Sequence, residues 1–129
     1  MDNSSRKFSF ADRARSFRYA FSGLAALFRS AHNARIHAVA AMLAIALSVF
    51  FGIRAWEWVA VILCIGAVIS AEASNSAIES LADAVTRERN SDIKLAKDIS
   101  AAAVLVLAAA SAAVGLVIFI PYIVSLFSN

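Results

Sequence analysis

This 129-residue chain has little of what irregular loops, crosslinks and water-facing surfaces are built from. One proline and four scattered glycines leave little room for long connections between regular elements. The single cysteine, Cys64, lies inside an apolar run. That excludes an intrachain disulfide and argues against redox chemistry. Charged residues make up 16% of the chain, against about 25% in an average soluble domain. The glycines form no phosphate loop either. Gly23, Gly52, Gly66 and Gly115 are too far apart for G-x-x-x-x-G-K-[ST] or G-x-G-x-x-G. Any phosphate bound here must be held by side chains and a metal ion. His32 and His37 have no cysteine or carboxylate near them in sequence, so they do not read as a metal pair. His37 is expected to hydrogen-bond at a membrane interface.

What is present is apolar. Hydrophobic residues make up 61% of the sequence, and the mean hydropathy is +0.75. These values describe a single domain, residues 1–129, whose solvent is lipid. The net charge of +3 does not point to nucleic acid, because Lys and Arg cluster beside hydrophobic segments. That placement suits anionic headgroups. The first long apolar run begins beyond residue 30, too late for a secretory signal peptide.

The pattern predicts an all-α integral membrane protein with an N-terminal amphipathic surface helix and three transmembrane helices. The spans are read at residues 34–53, 56–85 and 99–127, each with enough apolar length to cross a core of about 30 Å. Pro121 is expected to kink the last of them. Its alanines at 101–103, 108–110, 112 and 113 favour close helix–helix approach over lipid contact. Ahead of the spans, Phe10, Phe17, Phe21, Leu24 and Phe28 share one helical face. Arg15, Arg18, Ser22 and Arg29 cluster on the opposite one, as in a helix lying in the interface plane. Residues 1–5 are expected to be disordered. Arg6, Lys7, Arg13, Arg15, Arg18, Arg29 and Arg35 precede or open the first span. Arg87, Arg89, Lys94 and Lys97 separate the second and third, and Arg54 stands alone in the remaining loop. The positive-inside rule then puts the N-terminus in the cytoplasm.

The functional signal lies in the second span. Fourteen uncharged residues, 58–71, run straight into Glu72. On a helix, Glu72, Asn75, Glu79 and Asp83 fall within an arc of roughly 80°. A helix end meeting water explains Asp83 and Glu79 but not Glu72, which lies about 21 Å along the helix from Trp58 at 1.5 Å per residue. A carboxylate at membrane depth is costly and marks a functional site. One held away from bulk water suits general-base work. Glu79, two turns further out, could hold a hard cation through oxygen. Lys97 supplies a point charge suited to phosphate, or simply snorkels at the interface.

Two segments, Glu72-x-x-Asn75-Ser76-Ala77-Ile78-Glu79-x-x-x-Asp83 and Ala96-Lys97-Asp98-x-x-Ala101-x-Ala103-Val104-Leu105, resemble the signature of prokaryotic diacylglycerol kinases and undecaprenol kinases. The likeness covers residues 17–121. It implies a homotrimeric lipid kinase of the bacterial inner membrane that moves the γ-phosphate of Mg-ATP to the hydroxyl of a membrane lipid alcohol, a step in phospholipid and lipid metabolism. It further implies Glu72 and Asn75 as catalytic residues, Glu72 as proton acceptor and Asn75 helping to orient that region, and Glu79 as ligand to Mg²⁺. Lys97, Asp98 and Tyr19 would contact the nucleotide.

The chain departs from that pattern before the first span. The family usually carries Glu-x-Asn-x-x-x-His there, with the Glu a second metal ligand. Here Asn33 and His37 match, but Ala31 stands in the carboxylate position. The loop at 86–95 also lacks a histidine that many members carry. The alternative reading is a non-catalytic membrane protein, a degenerate family member or lipid-binding subunit that kept the helices and lost the chemistry at Ala31.

Overall fold

The computed structural model describes residues 9–128, and every regular element among them is an α-helix. The expectation for residues 1–5 lies outside the described residues, as do Arg6 and Lys7.

Helix α1 (Phe10–Ser30) starts at Ser9, whose hydroxyl accepts the Asp12 N–H at 3.4 Å. Asp12 in its first turn and Arg29 in its last complement the helix dipole. Its aromatic face turns away from the bundle: Phe10, Phe17 and Phe21 are 82%, 67% and 68% exposed, and only Leu27 is buried. A single extended residue, Ala31 (φ −91°, ψ 117°), separates it from α2 (His32–Phe51). Alanine is the best helix former, so propensity does not explain the break. The change of surroundings does. Residues before it have a basic face and an aromatic face, and those after His37 are apolar all round but for Ser48. One straight helix cannot lie in the interface and also cross the core.

Gly52 closes α2 in the left-handed conformation (φ 59°, ψ 48°), donating to the Ser48 and Val49 carbonyls, and Ile53 N–H returns to Ser48 at 3.2 Å. A side chain would be strained at that φ, so glycine makes this reversal possible. Two residues later α3 (Ala55–Val85) begins, and residues 86–90 lead into α4 (Ser91–Phe127). Asn90 caps α4, its Oδ1 accepting from Asp92 N–H at 2.9 Å and Ile93 N–H at 3.1 Å. That cap starts the helix eight residues ahead of the expected span, 99–127, so Lys97 and Asp98 stand on a helix. At its other end α4 continues through Pro121 to Phe127.

All three later helices are long and apolar enough to cross a membrane. At 1.5 Å per residue α2 is about 30 Å long, whereas α3 and α4 reach about 46 and 55 Å. A core of about 30 Å accommodates the first and leaves the other two overreaching it. Their polar stretches, the C-terminal turns of α3 and the N-terminal turns of α4, meet at one end of the bundle.

Helices α3 and α4 pack along most of their length, with α2 lying mainly against α3. The core sits at the opposite end, around Ile53, Val61, Ile118 and Phe119 with Phe51 and Tyr122 against them. There Glu57, 2% exposed, is clasped by three donors. Arg54 N–H and Tyr122 Oη each reach its Oε2 at 2.7 Å, and Arg54 Nη2 reaches its Oε1 at 3.2 Å. The Tyr122 ring stacks on Phe51 at 5.6 Å between centroids. Of the alanines expected to face neighbouring helices, Ala108 and Ala112 line an inter-helix groove. Ala101, Ala102, Ala103, Ala109, Ala110 and Ala113 are exposed on the single chain.

Candidate active site

The stripe read from sequence divides into two levels. Glu72 and Asn75 are buried, at 2% and 6% exposure, while Glu79 and Asp83 are open. Helix periodicity sets the lower level: Val61, Ile65, Val68 and Glu72 follow one another at intervals of three and four residues, on one face of α3. The first three line a cavity of about 250 Å³ between α2, α3 and α4, which His37, Ala108, Ser111 and Phe119 also border. Its walls are almost entirely apolar, and Glu72 is the next residue along the same stripe. Glu72 Oε2 is buried without a hydrogen-bond partner. An orphaned buried oxygen of an ionisable group costs several kcal/mol by order of magnitude.

The upper level is a network joining α3 to α4. Ser100 Oγ donates to Asn75 Oδ1 at 2.6 Å, and Asn75 Nδ2 donates to Glu79 Oε1 at 3.3 Å. One turn further out, Lys97 Nζ donates to Asp83 Oδ1 at 2.9 Å. The Lys97 side chain is 34% exposed and that of Asp83 67%. An ion pair so open to solvent contributes about 0–1 kcal/mol, so it yields readily to a better anion.

Asn75, Glu79, Lys97 and Asp83 are thus assembled at one mouth of the bundle, with Glu72 a turn deeper. Two other candidates make no hydrogen bond to that cluster. Asp98 pairs with Lys94 one turn earlier on α4, and Tyr19 is 65% exposed on α1. Ser100 was missed from sequence, although it lies three residues after Lys97 and hence on the same face of α4. Glu57 was missed because a lone charge at the head of an apolar span reads as an interfacial residue.

Among the described residues no group of three or more His, Cys, Asp or Glu comes together around a possible metal site. One half-engaged carboxylate is nevertheless compatible with Mg²⁺, which commonly binds through one or two carboxylates, keeping waters and substrate phosphates as its other ligands. Glu79 fits that role: Asn75 holds its Oε1, and its Oε2 accepts no hydrogen bond from the described residues.

Fold and site together define a multi-helical membrane protein with an acidic–basic polar cluster at one end and a deeper carboxylate beside an apolar groove. Residues 18–119 match the family described as prokaryotic diacylglycerol kinase, and the chain belongs to that family. Undecaprenol kinase of Bacillus subtilis (strain 168) is 36% identical over 107 residues, covering 83% of this chain and 87% of that protein. Diacylglycerol kinase of Synechocystis sp. (strain ATCC 27184 / PCC 6803 / Kazusa) is 32% identical over 112 residues, covering 86% of this chain and 64% of that protein. Both relatives are named as kinases, which weighs against the non-catalytic alternative.

Proposed function

We propose that this protein is an ATP-dependent lipid kinase that phosphorylates the hydroxyl of a membrane lipid alcohol, diacylglycerol or undecaprenol. The observation that carries the reading is Glu72: buried, with one oxygen unpartnered, between an apolar groove and a network of Asn75, Glu79 and Lys97. The groove accepts the hydrocarbon tail, and the head hydroxyl donates to Glu72 Oε2. Glu72 takes that proton as the lipid oxygen attacks the γ-phosphorus. The bond from the γ-phosphorus to the β–γ bridging oxygen breaks, and ADP leaves. Such transfers depend chiefly on positioning and charge neutralisation.

Glu79 would hold Mg²⁺, which when bound would neutralise charge on the nucleotide phosphates. Lys97 exchanges Asp83 for phosphate oxygens, and Asp98 and Tyr19 complete the nucleotide contacts. The distribution of Lys and Arg supports a cytoplasmic N-terminus, with the polar mouth on the side that holds ATP, and the three apolar helices of a prokaryotic family support an inner-membrane location. The exposed alanines of α4 support close approach of neighbouring copies, since small side chains let helices pack tightly, and the family resemblance makes that assembly a homotrimer.

The test is phosphorylation of diacylglycerol and of undecaprenol by purified protein with ATP, with Mg²⁺ present and with it chelated. Magnesium-dependent formation of one phosphorylated lipid is expected. No phosphorylated lipid under either condition overturns the reading.

A further inference from the structure

We infer that Ser100 is a positioning residue for the metal-bearing carboxylate, acting on Glu79 through the amide of Asn75. The inference rests on the reading of Glu79 as that carboxylate.

The direction of each hydrogen bond follows from chemistry. An ionised Glu79 can only accept, so the Asn75 group facing it at 3.3 Å has to be the NH₂. The amide oxygen then faces Ser100, whose hydroxyl is 2.6 Å away and has to donate. That hydroxyl has a competing acceptor, the Lys97 carbonyl at 2.9 Å on its own helix. A serine inside a helix ordinarily donates to such a carbonyl. Here Asn75 Oδ1 is nearer and is buried with its residue at 6% exposure, so it takes the proton. Ser100 therefore selects which way the Asn75 amide points. Asn75 in turn holds Glu79 Oε1 and leaves Oε2 without a hydrogen bond from the described residues. Without the hydroxyl, nothing on α4 opposes a flip of the amide, and the flipped form sets Oδ1 against a carboxylate. The arrangement also ties the placement of Glu79 to the docking of α4 on α3, because the two hydrogen-bonding partners lie 25 residues apart.

The experiment measures binding of a non-hydrolysable ATP analogue to purified protein in detergent, with Mg²⁺ and with chelator, alongside the Mg²⁺ dependence of lipid phosphorylation. Ser100→Ala is expected to weaken Mg²⁺-dependent analogue binding about fivefold, within the range of coupling energies for residues sharing a network. Binding in chelator is expected to stay unchanged. The Mg²⁺ concentration for half-maximal activity should rise by a similar factor, with a smaller effect on kcat. Ser100→Thr keeps a donor and should restore binding to within about twofold, because one retained hydroxyl can serve the same acceptor. In an Asn75→Ala background, Ser100→Ala should add no further loss. Should Ser100→Ala melt too low to measure, Ser100→Cys carries the same expectation, since a thiol is only a weak donor.

Wild-type binding and Mg²⁺ dependence in Ser100→Ala overturns the inference. So does an equal loss in chelator, or a loss that persists without Asn75. Glu79→Gln separates this failure from failure of the reading beneath it. If Glu79→Gln loses Mg²⁺-dependent binding while Ser100→Ala keeps it, only Ser100 is misassigned. If Glu79→Gln keeps it, the metal assignment itself fails.

Discussion

Tyr122→Phe tests the clasp at the far end of the bundle. The substitution removes one oxygen, the donor that reaches Glu57 Oε2 at 2.7 Å, and leaves the ring in place to stack on Phe51. Apolar burial is therefore almost unchanged, and the loss reduces to one hydrogen bond to a charged group. Such bonds contribute about 1.5–3 kcal/mol, and a buried carboxylate that loses a donor pays toward the upper part of that range. Arg54 moderates the cost, because its side chain is 68% exposed and free to shift toward the vacated oxygen. A destabilisation of about 2 kcal/mol follows, or roughly 6–10 °C in Tm for a chain of this size. The assay is thermal unfolding in detergent followed by tryptophan fluorescence, which Trp56 and Trp58 beside the clasp should report. The lipid-phosphorylating rate per folded molecule should hold, since Glu57 and Glu79 are about 33 Å apart along α3 at 1.5 Å per residue. A Tm within about 2 °C of the unsubstituted protein would refute the reasoning, because a buried carboxylate indifferent to its donor is not being held by it.

Glu72→Gln should lower turnover by about 10²–10⁴-fold, the usual contribution of a general base, with folding and nucleotide binding nearly intact; a variant retaining a sizeable share of activity removes Glu72 from that role. Ala31→Glu, which introduces a carboxylate two residues before Asn33, should reduce the Mg²⁺ needed for half-maximal lipid phosphorylation at fixed ATP. An unchanged or weaker Mg²⁺ dependence would show a site built without a ligand at that position. A topology reporter fused before Met1 should lie in the cytoplasm and one fused after Asn129 outside it, from the distribution of Lys and Arg; a cytoplasmic C-terminal reporter contradicts both the orientation and the count of spans.

Much of the fold was legible because the membrane leaves few options. Long apolar runs have to be helices there, since every backbone polar group needs an internal partner. The Phe face of α1 and the polar stripe of α3 were readable from helical periodicity alone. Boundaries were harder: α4 begins at Ser91 because Asn90 caps it, and no hydropathy average contains that hydrogen bond. The site was half legible. Spacing along α3 aligned Glu72, Asn75, Glu79 and Asp83, but only docking of α4 reveals that Ser100 meets Asn75 and Lys97 meets Asp83. The Glu57 clasp was hidden for the same reason, as Tyr122 lies 65 residues away in the chain.

The turns also decide where the molecule can be cut. One residue joins α1 to α2, and a short tight reversal joins α2 to α3. Residues 86–90 form the longest connection between the described helices, with Arg87 and Arg89 exposed on it. Trypsin acting there divides the chain between the two halves of its own site, with Glu72, Asn75 and Glu79 on one fragment and Lys97 and Ser100 on the other. In the intact chain the two halves are bridged at one end by the Ser100–Asn75 and Lys97–Asp83 hydrogen bonds and at the other by the Tyr122–Glu57 hydrogen bond. The protein is thus laid out as two complementary pieces, and co-expressing them separately would ask whether the loop contributes more than tethering.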